Sequence, residues 1–245
     1  MRGTKEVMKS VRKRTVTASL TDPQANLSVI GVFQVVEDAV TAMLGELNAD
    51  NITMRNRHNA AWVFVKNRIR RFKDLGWGQE FSTVCFLSSA TPITANADVE
   101  IRDEKGELCA CSRVELCALD LQTGRIRRFS SFGFDGAAAA EQGEVDLPFT
   151  RLDCEGLPEV AQVRVKYTNI DFTRHTNNIE YIRFLLDTYS VAELQARPVR
   201  EMEIVYVSQS FEGDLLSVRR GGTAGGDLFA LQKEGRTVAK SEILF

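Results

Sequence analysis

The stretch LSVIGVFQVVEDAVTAMLGELN, residues 27–48, restricts the folds open to this chain more than any other. Val29, Val32, Phe33, Val36, Val40, Met43 and Leu44 recur at helical spacing, and Ile30 and Val35 widen the apolar stripe around most of the circumference. Such a helix cannot rest on a surface with one face in water, so protein must enclose it. The chain supplies strands to do so. ITANADVEIR alternates Ile93, Ala95, Ala97, Val99 and Ile101 with Thr94, Asn96, Asp98, Glu100 and Arg102. That is the pattern of an antiparallel strand with one face on a core and the other in water. A turn at Lys105-Gly106-Glu107 leads into LCACSRVELCALDL and completes a hairpin. With AWVFVKNRIRRF and EFSTVCFL before it, the first half reads as a long buried helix followed by an antiparallel meander.

The second half repeats the order. AQVRVKYTNID reads as a strand, 177–194 as a helix, and REMEIVYVSQS, DLLSVRR, DLFALQK and RTVAKSEILF as strands. Between the halves, FDGAAAAEQGEVDLPFTRLDCEGLPE has no sustained period and is rich in Gly, Ala, Pro and acids, as a connection would be. The reading is a tandem duplication, with an N-terminal domain over 1–135, a linker over 136–160 and a C-terminal domain over 161–245. Asp22 and Asn26 precede the first helix as Asp171 and His175 precede the second.

Net charge is −2, which gives no general attraction to nucleic acid or an anionic membrane. The five cysteines are odd in number and contain no Cys-x-x-Cys pair, which fits neither a disulfide framework nor a zinc site. MRGTKEVMKSVRKR is basic but lacks a following apolar segment, so no signal peptide is expected, and no apolar run approaches membrane-spanning length. These features read as a soluble cytoplasmic protein.

NIDFTRHTNNIEYIRF, from Asn169, resembles the signature of the plant and bacterial acyl-[acyl carrier protein] thioesterases, roughly D-x-D-x-N-x-H-x-N-N-x-x-Y. Asp171, His175, Asn177, Asn178 and Tyr181 match it, and YVSQSFEGD, from Tyr206, resembles a later strand of the family. Thr173 stands where the family usually has Asn, Gln209 where it has Glu, Ser210 where plant members have Cys, and Asn169 where it has its first acid. The resemblance implies an α+β tandem (double) hot-dog fold, each half a long buried helix wrapped by an antiparallel β-sheet. It implies hydrolysis of acyl-[acyl carrier protein] to free fatty acid and carrier thiol, with neither metal nor dissociable cofactor. An acyl-CoA thioesterase and a non-catalytic acyl-binding module are the alternatives.

Thioester hydrolysis needs an activated water or a carboxylate nucleophile, and donors for the oxyanion. Asp171 can take a proton from water or attack the carbonyl, and His175 can orient a reacting group or carry a proton to the departing thiol. Thr173 offers one hydroxyl in place of an amide. The helix mouth near Asn177 offers free N–H groups and a positive dipole end. Asn177, Asn178 and Gln209 are the expected substrate-binding residues, although an Asn just before a helix is by itself more often a cap. Gln209 cannot act as a base, and Ser210 removes any cysteine nucleophile from that position. Lys66, Arg68, Arg70 and Arg71 read either as a solvated face or as a basic patch that docks the acidic carrier. Two fused hot dogs leave a monomer and a homodimer both open.

Overall fold

The computed structural model describes residues 9–134 and 143–245. The chain divides into two units, Met1–Leu147 and Pro148–Phe245. Residues 135–142 of the expected connection and the first eight residues of the basic start lie outside the described residues.

In the first unit the buried helix is α1, Val29–Glu46. Ser28 begins it by accepting the Gly31 N–H at 2.8 Å, which satisfies one of the first-turn donors. Val32, Phe33, Val35, Val36, Ala39, Val40, Met43 and Leu44 are all buried, so enclosure extends well around the helix, as its broad stripe requires. Each of the Val, Phe, Met and Leu side chains withdrawn from water contributes about 1.5–3 kcal/mol. The strands are β1 (Ser10–Thr15), β2 (Ala60–Arg71), β3 (Glu80–Ala90), β4 (Thr94–Asp103) and β5 (Leu108–Asp120). They form an antiparallel run in the order β1-β3-β4-β5-β2, with α1 against β1, β3 and β4.

Three expectations need correction here. The strands are not a simple meander, because β2 crosses to the far side of β5 while β3, β4 and β5 pair in sequence. A second helix, α2 (Asn51–His58), precedes β2; its polar sequence has no apolar stripe, and it is set by Asp50, whose carboxylate accepts the N–H groups of Ile52 and Thr53. The water-facing side of β4 is also covered. Asp98 and Glu100 are buried, the first held by Arg113 at 2.8 Å and the second by Arg102 at 2.7 Å. The segment at 143–146 reaches the same groups: Glu144 N–H donates to Glu100, and Asp146 pairs with Arg113. Strand alternation marks polarity, and here charge pairing lets the polar face be buried.

The second unit contains β6 (Glu159–Arg164), α3 (Asn178–Leu186), α4 (Val191–Ala196), β7 (Glu201–Tyr206), β8 (Leu215–Gly222), β9 (Gly226–Lys233) and β10 (Arg236–Leu244). The strand order is β7-β10-β9-β8-β6, antiparallel throughout. The single helix expected over 177–194 is two helices. Ser190 starts the second as a capping box, accepting from Glu193 N–H while Glu193 accepts the Ser190 N–H. Ile179, Tyr181, Ile182, Phe184 and Leu185 are the buried face of α3. Each unit is thus a helix held against an antiparallel sheet, the α+β tandem hot-dog arrangement.

Candidate active site

The polar cluster ahead of α3 is a tight turn built by Asp171. Its N–H donates to the His175 carbonyl at 3.0 Å, and its carbonyl accepts the Arg174 N–H at 3.0 Å. Its Oδ1 accepts the Thr173 N–H at 2.8 Å and, in a short contact, the Thr173 hydroxyl. Arg174 takes the left-handed corner, with φ 66°. The Thr173 Oγ1 then lies 3.2 Å from His175 Nδ1. The structure therefore brings Asp171, Thr173 and His175 into one hydrogen-bonded run, and the His175 ring meets the Phe211 ring edge-on with centroids 5.1 Å apart.

Asn177 is the cap of α3, its Oδ1 accepting the Ile179 N–H at 2.8 Å. Its side chain is thereby committed to the backbone. Asn178 is half-buried at the first helical position; neither its N–H nor its amide side chain has a partner among the described residues. Gln209 is exposed and stays outside the hydrogen-bonded run.

Behind the turn lies a ring of hydroxyls among Thr176, Tyr181 and Ser210, all buried. Ser210 N–H donates to Tyr181 Oη at 3.0 Å, and the Tyr181 and Ser210 hydroxyls are 2.9 Å apart. Ser210 Oγ is 2.7 Å from Thr176 Oγ1, which donates to the Ser210 carbonyl at 3.1 Å. One assignment satisfies every group: Tyr181 O–H to Ser210 Oγ, Ser210 O–H to Thr176 Oγ1, and Thr176 O–H to the carbonyl. Burial raises the Tyr181 pKa, with the Ser210 contacts opposing it. Ser210 is thus a clamp rather than an exposed nucleophile. The motif supplied Tyr181, but nothing in the sequence joined it to Thr176 and Ser210. Phe211 and Asp214 were likewise missed as site residues; Asp214 accepts the Phe211 N–H at 2.8 Å and so fixes the ring beside His175. Burial acts to raise the Asp214 pKa, but the Lys233 ammonium and that N–H outweigh it, and the net shift is downward.

The first unit contains the same turn. Asp22 N–H donates to the Asn26 carbonyl, Ala25 N–H to the Asp22 carbonyl, and Gln24 N–H to Asp22 Oδ1, while Ala25 holds φ 60°. Leu27 N–H donates to the Leu75 carbonyl where Thr176 N–H donates to that of Ser210. Gly78 and Gly213, with φ 81° and 88°, close corresponding loops by donating to Val16 and Val165. The backbone is duplicated while the chemistry is not. His175, Thr176, Tyr181 and Ser210 have Asn26, Leu27, Val32 and Leu75 as their counterparts.

The basic run at residues 66–71, expected either as a solvated face or as a docking patch, is partly taken up within the fold. Arg68 is buried, Lys66 pairs with Glu115 at 3.2 Å, and the Arg71 side chain is buried against Asp74 and the Leu27 carbonyl. Neighbouring acids and strand burial account for these three charges. No helix among the described residues is long and apolar enough to cross a membrane.

A family model described as the acyl-ACP thioesterase C-terminal domain matches residues 156–243. The structure resembles that of an acyl-ACP thioesterase from Bacteroides thetaiotaomicron VPI-5482, with TM-score 0.89, 19% identity and 97% of each chain covered. It also resembles a 12:0-ACP thioesterase from Umbellularia californica, with TM-score 0.84, 13% identity and 96% of each chain covered. Comparison with curated proteins by sequence gives no match. Residues 156–243 thus match the acyl-ACP thioesterase C-terminal domain model, and the chain as a whole has the fold of the solved acyl-ACP thioesterases.

Proposed function

We propose that this protein hydrolyses acyl thioesters, releasing free fatty acid from acyl carrier protein. The observation that supports this most is the run from Asp171 through Thr173 to His175, on a turn whose first-unit twin holds Asn26. Thr173 has one hydroxyl proton. The charge-assisted bond to Asp171 takes it, so the Thr173 oxygen accepts from His175 Nδ1–H. That selects the tautomer with a free lone pair on Nε2, the form of a general base.

On this reading Nε2 takes a proton from water as the water oxygen bonds to the thioester carbonyl carbon. The carbon–sulfur bond then breaks, and the imidazolium returns the proton to the departing sulfur, leaving carboxylic acid and thiol. The unpartnered Asn178 N–H and side-chain amide, at the positive end of α3, suit the oxyanion that forms between these steps. Asn177 acts on the site through the helix it caps, and Gln209 is left to hydrogen-bond water or substrate. Only side chains, backbone and water are used. The chemistry is assigned to the C-terminal domain, and the five free cysteines, all buried, suit a reducing cytoplasm.

Thiol release from matched acyl carrier and acyl-CoA substrates of graded chain length tests the proposal. Faster turnover of the carrier series is the expected result. Preference for acyl-CoA would favour the CoA thioesterase reading, and tight acyl binding without thiol release would favour a binding module.

A further inference from the structure

The two copies of the turn share a backbone, so the first is an internal control for the second. Within the repeated geometry, Arg164, Lys166, Tyr167, Phe172, Arg174 and Phe211 stand where the first unit has Thr15, Thr17, Ala18, Pro23, Ala25 and Gly76. All six first-unit residues are small or medium-sized and uncharged. All six second-unit residues are cationic or aromatic, and the fold demands none of them.

They are also presented outward. Tyr167 is 81% exposed, Phe172 72% and Phe211 45%. Lys166 and Arg174 are exposed and enter no ion pair among the described residues. Arg164 donates to the Gly213 carbonyl at 2.9 Å, beside the loop that carries Phe211. Arg174 occupies a left-handed corner, with φ 66°, which disfavours an L-residue relative to glycine. Ala25 shows that a small residue can serve there. Exposed aromatics interleaved with arginine have the composition of an interface core, and unpaired cations beside them select an anionic partner.

We infer that Arg164, Lys166, Tyr167, Phe172, Arg174 and Phe211 form a docking collar around His175 for an acidic protein. Resting on the function proposed above, that protein is the carrier bearing the acyl group. The collar's aromatic members cover apolar surface on the partner, and its cations guide the approach.

The test measures binding of acyl carrier protein loaded with an amide-linked acyl chain, which cannot be hydrolysed. The full-length Lys166→Glu/Arg174→Glu variant should bind at least about tenfold more weakly than wild type. Wild-type affinity should fall as salt rises from about 50 to 300 mM, and that fall should be smaller in the variant. Thr17→Glu/Ala25→Glu, the same changes on the first-unit turn, should bind as wild type. If the double glutamate variant does not fold, Lys166→Ala/Arg174→Ala serves, with the same direction of effect. Unchanged binding in the second-unit variants, an equal loss in the first-unit pair, or no binding of the carrier by wild type would each overturn the inference. Hydrolysis of an acyl-N-acetylcysteamine, which needs no docking, is scored separately. Failure of that reaction with collar-dependent carrier binding intact would refute the thioesterase reading alone.

Discussion

Tyr181 and Ser210 lie with their hydroxyl oxygens 2.9 Å apart in a buried ring that ties α3 to the loop carrying Phe211. In the first unit Val32 and Leu75 take these positions as buried hydrocarbon. The same backbone therefore stands without hydroxyls, and on the proposed function the ring serves to hold His175 and Phe211 in place.

Removing one oxygen should show it. Tyr181→Phe leaves the Ser210 N–H buried with no acceptor, at a cost of about 1–3 kcal/mol measurable by urea denaturation. It should lower kcat more than it raises KM. Copying the first unit with Thr176→Leu/Tyr181→Val/Ser210→Leu leaves the same backbone N–H without its acceptor and should not recover kcat. Full recovery of kcat in that triple variant would deny the ring any positioning role.

Thr173 is the link between the Asp171 and His175 side chains, and its hydroxyl makes that connection. Thr173→Ser should retain near wild-type turnover. Thr173→Val, equal in shape but with no hydroxyl, should lose about 10²-fold in kcat, the scale of general-base catalysis. Steady-state kinetics on one carrier substrate compares the two, and equal rates would remove the hydroxyl from the relay.

Much of this was legible in the sequence. The broad apolar stripe of residues 27–48 identified α1, and the motif before Ile179 located the second turn. Neighbour order was not legible, because alternation in β2 says which face is buried but not that β5 lies beside it. The break at Ser190 was hidden because Leu194 continues the helical spacing, while the capping box that restarts the chain involves only Ser190 and Glu193. How far the charges at residues 66–71 are taken up was hidden for a similar reason: Glu115 and Asp74, the partners of Lys66 and Arg71, come from elsewhere in the fold or from the following turn. Thr176 and Ser210 are far apart in sequence, and only the pairing of their backbones brings the hydroxyls together.

Alkaline pH should weaken the fold. Burial raises the Cys117 thiol to about 11, with Glu115 adding to the shift, and burial raises Cys85 as well. A raised folded pKa means stability that is complete below the unfolded thiol value, near ~8.5. It is lost as pH climbs through the folded values, because the unfolded chain ionises first. The Tm should therefore fall between pH 8 and pH 11 on the order of several degrees. Cys85→Ala and Cys117→Ala should each reduce that dependence even where they lower the Tm at neutral pH. A dependence unchanged by either substitution would assign the alkaline loss to other groups.

The central claim is that the second turn performs chemistry which its first-unit twin cannot, and His175→Asn tests it most directly by giving the second turn the residue of the first. Turnover of an acyl carrier substrate should fall by ~10²-fold or more with the Tm retained, since an amide cannot take up and return a proton. A well-folded His175→Asn protein with turnover close to wild type would contradict the account.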